Sequence, residues 1–259
     1  MDPLFNISQA CCSYGDKKVL HELNLTLQPG IFYGLAGPNG SGKTTLLDVL
    51  LGNKALNSGS VLLQQKAIHT YAKRELAKKL ALVPQEFRIN FDFTAHEVVM
   101  MGRHPHIPRF ANPDMADLEI VARVMKELGI NDLKDRYITQ LSGGEKQRVI
   151  VARALAQDTP VLILDEATAN LDIHHSIQIL HVVKQLVREQ KVTVIAAIHD
   201  LNFAAAYCDE MILLNNGRIT ANGPVEDVLT PAHLKAVFDV DCKTYRDDYS
   251  GAYQIGFRY

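Results

Sequence analysis

Largely apolar runs of strand length alternate along this chain with segments of helical periodicity. The apolar runs occupy residues 31–36, 80–83, 161–164 and 192–198, and apolar residues recur at helical spacing over residues 45–51, 115–128 and 173–190. A continuous apolar run is typical of a strand that is buried on both faces of a parallel sheet. The pattern therefore predicts an α/β fold.

Smaller elements are predicted between and after these runs. Residues 4–29 alternate polar and apolar positions in places, which indicates short strands and turns. Residues 211–221 predict a hairpin around Asn215–Gly217. Residues 225–238 predict two short helices that are separated at Thr230–Pro231.

The middle of the chain has a different character and predicts a helical insert. Phe87, Phe91 and Phe93 lie in a loop-like stretch, a proline-broken segment follows at residues 103–109, and a helix is predicted at residues 115–128. The predicted division is an α/β core of residues 1–85 and 160–240, an insert of residues 86–159, and a polar, aromatic tail of residues 241–259.

The composition narrows the classes of protein that this fold can represent. The chain has 259 residues, of which 47% are hydrophobic, as in an ordinary folded globule. The net charge of −2 argues against a protein that coats nucleic acid through charge, so no nucleic-acid partner is predicted. No apolar run approaches the length of about 18 residues that a membrane span needs. Cys11, Cys12, Cys208 and Cys242 are expected to be structural thiols.

Residues 37–44 read G-P-N-G-S-G-K-T and match the phosphate-binding pattern G-x-x-x-x-G-K-T. Glycines in this loop let the backbone approach a phosphate and point its N–H groups at the anionic oxygens. Lys43 is placed as a point charge on the β- and γ-phosphates, and Thr44 as a ligand of Mg²⁺. A strand-length run precedes the loop and a helical run follows it, as the motif requires. The predicted nucleotide-binding residues here are Gly37, Pro38, Asn39, Gly40, Ser41, Gly42, Lys43, Thr44 and Thr45.

A pair of carboxylates, Asp165 and Glu166, follows the apolar run at residues 161–164. A carboxylate at the carboxyl end of a buried parallel strand is placed beside the phosphate loop. Asp165 is then predicted to bind Mg²⁺, usually through water, and Glu166 to take a proton from the water that attacks the γ-phosphate. The four apolar residues before them disfavour the alternative of two solvated turn residues.

Three single residues are further candidates, and two of them, Gln85 and Tyr14, also permit an ordinary interpretation. Gln85 follows a predicted strand, where its amide can reach Mg²⁺ or the attacking water, or else lies in solvent. His199 follows the run that ends at Ile198, where it can bond the γ-phosphate and orient Glu166 with its water. Tyr14 can stack on a nucleotide base or be an ordinary surface tyrosine, and spacing alone does not separate these alternatives.

The segment Leu141–Glu145 opens a predicted helix that runs to Ala156. Ser142 and Glu145 match the capping box S-x-x-E. Gly143 and Gly144 leave backbone N–H groups open to a ligand, and the helix dipole adds partial positive charge there. We therefore expect this helix end to hold an anion, because a plain N-cap does not require both glycines.

Together these motifs resemble the ATP-binding subunits of ABC transporters, over nearly the whole chain. The residues that carry the resemblance are Gly37–Thr44, Gln85, the signature Leu141, Ser142, Gly143, Gly144 and Glu145, the pair Asp165 and Glu166, the pair Leu171 and Asp172, and His199. The resemblance implies a phosphate-loop NTPase core, with a mixed sheet and an antiparallel β part, plus a helical insert subdomain. It implies ATP and Mg²⁺ as cofactors. The implied metal-binding residues are Thr44, Gln85 and Asp165, and the implied catalytic residues are Glu166, His199 and Gln85.

The resemblance also implies an assembly. Two copies of the chain would form a head-to-tail homodimer, in which each ATP lies between one phosphate loop and the partner's signature segment at residues 142–144. Leu171 and Asp172 would contribute to the subunit contact, and Tyr14 would stack on the adenine. The dimer would lie at the cytoplasmic face of the plasma membrane against multi-span permease subunits. An extracytoplasmic substrate-binding protein would be an indirect partner.

Within this family the chain is most similar to importers of ferric siderophores, haem and cobalamin. The stretches that support this are Met101–His106, His199–Asn202 and Gly223–Thr230. Importers of molybdate share much of the pattern, and a soluble, non-transport cassette such as the ATPase of iron–sulfur cluster assembly is a further alternative. A DNA-repair ATPase is less compatible, because the chain has no basic stripe and no long coiled-coil insertion.

The segment Gln85–Arg109 is the predicted docking surface for a permease. It combines the phenylalanines Phe87, Phe91 and Phe93 with Arg103, and aromatic residues and arginine are favoured at interface hot spots. The alternative is that the phenylalanines form the core of the insert.

Overall fold

The computed structural model describes residues 2–85, 87, 91–169 and 171–258 of the chain. Residues 86 and 88–90 of the predicted docking segment lie outside the described residues. The strands are β1 (Phe5–Tyr14), β2 (Lys17–Leu27), β3 (Phe32–Ala36), β4 (Ser58–Leu63), β5 (Lys66–Ala67), β6 (Leu80–Val83), β7 (Val161–Asp165), β8 (Thr193–Ala197), β9 (Glu210–Asn215), β10 (Arg218–Pro224), β11 (Cys242–Arg246) and β12 (Tyr253–Phe257). The helices are α1 (Lys43–Leu50), α2 (Lys73–Ala77), α3 (Ala95–Met100), α4 (Met115–Glu127), α5 (Gly143–Ala156), α6 (Ile173–Gln190), α7 (Leu201–Tyr207), α8 (Val225–Val228) and α9 (Pro231–Phe238).

The chain divides into two compact units. The first unit comprises Met1–Tyr71 with Thr193–Tyr259, and the second comprises Ala72–Val192. The sequence-based division, with a core that ends at residue 85 and resumes at residue 160, stays a prediction.

The first unit contains strands of two sheets, one of which is antiparallel and the other mixed. One sheet has the antiparallel order β2-β1-β4-β5. In the other sheet, β3 lies between β8 and β9 and is parallel to both, whereas β10 is antiparallel to β9. β3 and β8 are buried along their whole length, which is why their sequences read as nearly continuous apolar runs.

The amino-terminal strands are longer than the sequence predicted. β1 has 10 residues and β2 has 11, where short strands and turns were expected over residues 4–29. The register of β1 shifts at three places against β2, and Gln9 and Glu22 have positive φ. These irregularities break the strict alternation of apolar and polar residues, so the sequence pattern hides the continuity of both strands.

The carboxyl-terminal elements follow the predicted hairpin and helix pair. β9 and β10 pair around the turn at residues 216–217, and α8 and α9 are separated at Leu229–Thr230, so both predictions are confirmed. The tail, for which no element was predicted, forms the antiparallel hairpin β11–β12. Within the described residues, no helix has the length and apolar character needed to cross a bilayer.

The second unit contains the parallel pair β6 and β7 and most of the long helices. Leu80 pairs with Val161 and Val83 with Leu164, so the two strands end side by side. Helix α5 packs against α3 and α4. α4 and α6 begin at the residues that the periodicity predicted, and Gly129 after α4 has a φ of +59°.

Helix α3 was missed by the sequence prediction, which treated the residues before Met115 as loop-like. Thr94 caps this helix through its hydroxyl, and Glu97 closes a capping box at the Thr94 N–H with a distance of 2.7 Å. The signal for α3 is therefore present in the sequence as T-x-x-E, but the helix is only 6 residues long and its apolar periodicity is short.

Arg103 is buried, which corrects its predicted place on an exposed docking surface. Its side chain is only 7% exposed. Nε lies 2.8 Å from Asp117 Oδ1, and Nη1 donates to the Ala156 carbonyl at 2.8 Å. The guanidinium therefore joins the segment after α3 to the start of α4 and the end of α5, and it belongs to the core of the second unit.

Candidate functional site

The phosphate-binding loop lies in the first unit between β3 and α1. A Cβ atom at Gly37 would come within 2.0 Å of the Leu214 carbonyl oxygen, so only glycine fits there. Gly42 precedes the first residue of α1 with a φ of +106°, in a region that favours glycine. The loop therefore turns directly from a buried strand into a helix N-terminus, as the sequence predicted.

Two buried polar side chains of this loop, Lys43 and Ser41, face the turn. The Lys43 ammonium donates to the carbonyl oxygens of Gly37 at 2.8 Å and Pro38 at 3.2 Å. Ser41 is 3% exposed, and its hydroxyl has no hydrogen-bond partner among the described residues. A buried hydroxyl without a partner is unusual and indicates a ligand or water at that place. A positive charge beside an unsatisfied donor suits an anion such as a phosphate.

Tyr14 ends β1 and exposes 49% of its surface. The ammonium of Lys54 lies 3.9 Å from the centre of its ring. The loop that carries Lys54 is fixed to β1, because Asn57 N donates to the Cys11 carbonyl at 2.8 Å. Sequence analysis missed Lys54, since nothing in the local pattern relates it to a tyrosine 40 positions earlier. The predicted stacking role of Tyr14 stays a prediction.

Gln85 and Glu166, both in the second unit, are in direct contact. Gln85 Nε2 donates to Glu166 Oε2 at 2.6 Å. The contact follows from the register of β6 and β7, because both side chains come just after the strand ends that lie side by side. Glu166 has a φ of +54°, which is a strained conformation for a residue with a side chain. Strain of this kind is concentrated at functional sites. Asp165, the last residue of β7, is buried.

The signature segment begins α5 with the predicted capping box. Ser142 N donates to Glu145 Oε2 at 2.8 Å, and Glu145 N donates to Ser142 Oγ at 3.3 Å. The bond from the Ser142 N–H is the largest cause that lowers the pKa of the Glu145 carboxyl, and the Ser142 hydroxyl is the next. The box uses the N–H groups of Ser142 and Glu145 and not those of Gly143 and Gly144. Gly143 is exposed, and a Cβ atom there would meet nothing within 4 Å.

Leu171 lies next to this helix start, and Asp172 follows it in the chain at the start of α6. A Cβ atom at Gly144 would lie 3.5 Å from Leu171 Cδ2. Asp172 caps α6 by accepting from His175 N at 2.9 Å, and its other oxygen lies 2.8 Å from His175 Nδ1. The His175 N–H, as the largest cause, lowers the pKa of the Asp172 carboxyl. The role of both residues in a subunit contact stays a prediction.

His199 is exposed in the first unit, between the end of β8 and the start of α7. The segment is held on both sides. Ile198 N donates to the Leu35 carbonyl at 3.2 Å, and Asp200 caps α7 by accepting from the N–H groups of Asn202 at 2.8 Å and Phe203 at 3.1 Å. This places the imidazole of His199 at the carboxyl end of a central strand, as predicted, while its role stays a prediction.

The second unit also carries a large apolar groove. A cavity of about 860 Å³ lies among α2, α3, α4 and the segment at residues 104–113. Its lining includes Met100, Met101, Ile107, Phe110 and Leu118. Phe110 is 95% exposed. A contiguous exposed apolar surface of this kind marks an interaction site in many proteins.

The chain matches known proteins over most of its length. The family profile described as "ABC transporter" matches residues 20–169. The chain is 41% identical over 238 residues to a cobalamin import ATP-binding protein of Halobacterium salinarum, covering 92% of this chain and 59% of that protein. It is 38% identical over 234 residues to an iron(3+)-hydroxamate import ATP-binding protein of Bacillus subtilis, covering 90% of this chain and 87% of that protein.

A solved structure is similar over the whole fold. It is described as an inward-facing conformation of a putative metal-chelate type ABC transporter. The TM-score is 0.85 with 28% sequence identity, over 99% of this chain and 97% of that one.

Proposed function

The chain belongs to the ABC transporter family, and on that premise we propose that it is the ATP-hydrolysing subunit of an importer. The observation that carries the proposal is the phosphate loop itself. Lys43 brings its charge to the turn beside the unsatisfied hydroxyl of Ser41, at the N-terminus of α1. This combination suits the phosphates of a nucleotide.

ATP and Mg²⁺ are the proposed ligands of the site. The exposed hydroxyl of Thr44, the amide of Gln85 and the carboxylate of Asp165 are oxygen donors of the kind that Mg²⁺ prefers. The donor set therefore fits the ion. When bound, Mg²⁺ neutralises the negative charge that develops on the phosphates.

Glu166 is the proposed general base for hydrolysis. Its carboxylate takes one proton from a water molecule, the water oxygen bonds to the γ-phosphorus, and the bond from that phosphorus to the β–γ bridging oxygen breaks to release ADP. The hydrogen bond from Gln85 to Glu166 Oε2 restricts the orientation of the carboxylate, which supports its proposed role as a positioned base. We propose that His199 bonds the γ-phosphate and holds the same water.

The proposed active form is a head-to-tail homodimer. Gly143 and Gly144 contribute N–H groups that the capping box of Ser142 and Glu145 does not use. In the proposed dimer these groups bind the γ-phosphate of the ATP that is held by the partner's phosphate loop. Leu171, which contacts the Gly144 side of this helix start, carries the neighbouring part of the interface.

The proposed cargo is an iron chelate, such as a siderophore or haem, or cobalamin. The names of two relatives, one for cobalamin and one for iron(3+)-hydroxamate import, support this class. The chain spans 59% of the length of the cobalamin import relative. The proposed route for coupling is the apolar groove of the second unit, into which a short helix of a multi-span permease inserts beside Phe110.

Nucleotide binding by the Lys43→Ala variant tests the proposed function. We expect calorimetry to show a large loss of ATP affinity, because the loop loses its buried positive charge. Lys66→Ala, which removes an exposed lysine of the same unit, is the matched control and should bind ATP normally. Unchanged affinity in the Lys43 variant would refute the assignment of the loop.

Tests of the proposed coupling route and of the proposed cargo require the permease. Phe110→Ala in the groove, combined with Phe91→Ala in the predicted docking segment, should keep the basal ATPase rate of the isolated subunit. The two changes should reduce both copurification with the permease and uptake of ferric chelate or cobalamin into vesicles. Tyr137→Ala, an exposed aromatic of the same unit outside the groove, is the control. Normal uptake after both phenylalanine changes would move the docking surface elsewhere.

A further inference from the structure

Helix α7 packs against strand β12 of the carboxyl-terminal hairpin, and the side chain of Asn202 adds hydrogen bonds between them. Its Oδ1 accepts from Ile255 N at 2.7 Å, and its Nδ2 donates to the Ile255 carbonyl at 3.4 Å. A primary amide carries one acceptor and donors in nearly the same arrangement as a peptide group. Asn202 therefore pairs with the outer edge of β12 as a residue of a neighbouring strand would.

Ile255 is the point at which the hairpin is anchored in the first unit. Its side chain is 4% exposed, and it is the one fully buried residue among the described residues of β11 and β12. A second tie exists at the other strand, where Arg246 forms an ion pair with Glu226 of α8. These two side-chain ties add to the packing of β12 against α7 and of β11 against α9.

Asn202 lies in the first turn of a helix that follows His199 directly. α7 has 7 residues, which is too few for a helix to be stable through its own hydrogen bonds. Its position therefore depends on tertiary contacts, which are the buried Leu201, Ala204 and Ala205 on one face and Asn202 toward β12. A shift of this helix start would move Asp200 and the imidazole of His199 with it.

We propose that Asn202 is a positioning residue for His199 and that the hairpin β11–β12 is its support. The carboxyl-terminal segment would then act in catalysis without touching the nucleotide, by fixing the helix that sets the imidazole. This inference rests on the proposed function, because it assumes that His199 takes part in ATP hydrolysis.

The kinetics of Asn202→Ala and Asn202→Asp test the inference. We expect kcat for ATP hydrolysis to fall about 3- to 10-fold, as for the loss of about one net hydrogen bond in the positioned state, with KM for ATP and the melting temperature nearly unchanged. Asn202→Asp should lower kcat as much as Asn202→Ala does, although aspartate keeps the shape of the side chain. The reason is that one carboxylate oxygen would face the Ile255 carbonyl oxygen. Arg246→Ala is the matched control, since it removes only the ion pair of the hairpin with Glu226 and leaves the Asn202 bonds in place. It should retain the wild-type kcat.

A double-mutant cycle with His199→Ala distinguishes an effect of Asn202 that acts through His199 from a general effect on the structure. If Asn202 acts through His199, adding Asn202→Ala to His199→Ala should lower kcat no further. Hydrogen exchange supplies an independent measurement, in which the amides of residues 200–204 should exchange faster in Asn202→Ala and not in Arg246→Ala.

Three results would overturn the inference: an unchanged kcat in both Asn202 variants, additive losses in the cycle, or unchanged exchange at residues 200–204. Failure of the proposed function gives a different result, in which the wild-type chain hydrolyses no ATP or His199→Ala keeps the full rate.

Discussion

The side chain of Glu166 accepts a hydrogen bond from Gln85 at 2.6 Å, and its backbone is held at a φ of +54°. Both features restrict where the carboxylate can point. For a general base the geometry comes first, because proton transfer requires a carboxylate within hydrogen-bond reach of the water. Removal of the proton-accepting oxygen is therefore expected to lower the rate of hydrolysis more than removal of a charged group elsewhere in the chain.

Glu166→Gln is expected to bind ATP normally and to hydrolyse it about 10²- to 10⁴-fold more slowly, because an amide does not accept the proton. The measurement is single-turnover hydrolysis alongside ATP affinity. Glu127→Gln, a carboxylate of α4 in an exposed ion pair with Arg123, serves as the control and should keep the normal rate. A nearly normal rate in the Glu166 variant would require another base, for which His199 is the next candidate.

Arg103 and Asp117 form a buried ion pair whose two ends also bond backbone groups. Arg103→Ala is expected to lower the free energy of unfolding by about 3–5 kcal/mol, because it leaves the Asp117 carboxylate buried without its partner. Arg109→Ala, an exposed arginine in the same segment, should change it by less than about 0.5 kcal/mol. Chemical denaturation of both variants measures the difference. Equal effects would contradict the assignment of Arg103 to the core.

The same pair predicts a dependence of stability on pH. The hydrogen bond from Arg103 is the largest cause that holds the pKa of Asp117 below its usual value. The stabilising contribution is therefore complete above the unfolded-state pKa of about 4 and is lost as the pH falls through the folded-state pKa. The stability difference between the wild type and Asp117→Asn should shrink as the pH is lowered from about 6 to about 2. A difference that stays constant over this range would contradict the prediction.

At the scale of the element, helices α3 and α5 start with the same capping box but differ in the residues inside it. Thr94 and Glu97 enclose Ala95 and His96, whereas Ser142 and Glu145 enclose two glycines. Both boxes stabilise their helix in the same way. The enclosed N–H groups of α3 donate to the carbonyls of Arg136 and Lys134, whereas the two glycines of α5 make no such bond among the described residues. The two helix starts can therefore be compared directly.

Ser142→Asp should separate capping from anion binding. Aspartate caps a helix about as well as serine, so the melting temperature should be nearly unchanged. The added negative charge would repel the phosphates of the partner's ATP, so we expect turnover to fall strongly. Thr94→Asp makes the same change on α3 and should leave turnover normal. Equal turnover in the two variants would show that the start of α5 is only a cap.

At the scale of the whole molecule, the proposed homodimer requires each nucleotide site to use residues of both copies. Lys43→Ala removes phosphate binding by the loop, and Ser142→Arg blocks the signature segment. Each variant alone should therefore be inactive. A mixture of the two contains mixed dimers with one intact composite site. We expect the mixture to recover ATPase activity, up to about a quarter of the wild-type rate if the sites act independently and the copies pair at random.

The control for this mixture is each variant alone at the same total protein concentration. No gain on mixing would contradict the head-to-tail arrangement. Activity in the Ser142→Arg homodimer would instead show that the signature segment does not serve the nucleotide.

The parts of the site that the sequence predicted correctly are contiguous in the chain. The loop at residues 37–44 carries its own backbone requirements, since Gly37 and Gly42 stand where no other residue fits without strain. The capping box of α5 likewise spans only four residues. The apolar runs of β3 and β8 report burial on both faces directly, and for that reason the central strands and the long helices were predictable.

Contacts between distant parts of the chain were not predictable in the same way. Arg103 has its partners 14 and 53 positions away, and it was assigned to a docking surface because arginine is favoured at interface hot spots. The pairing of Lys54 with Tyr14 and of Asn202 with Ile255 likewise depends on how loops and strands return to one another.

The sequence by itself determined the class of fold, the strand–loop–helix course of the phosphate loop and the cap of the signature segment, because these depend on local backbone geometry and on the period of apolar residues. The tertiary structure alone decided which charged side chains are buried, that Gln85 contacts Glu166, and that the tail forms a hairpin tied to α7. The physical reason is that burial and pairing are set by the strands and helices that pack around a residue, and one stretch of sequence does not contain those neighbours.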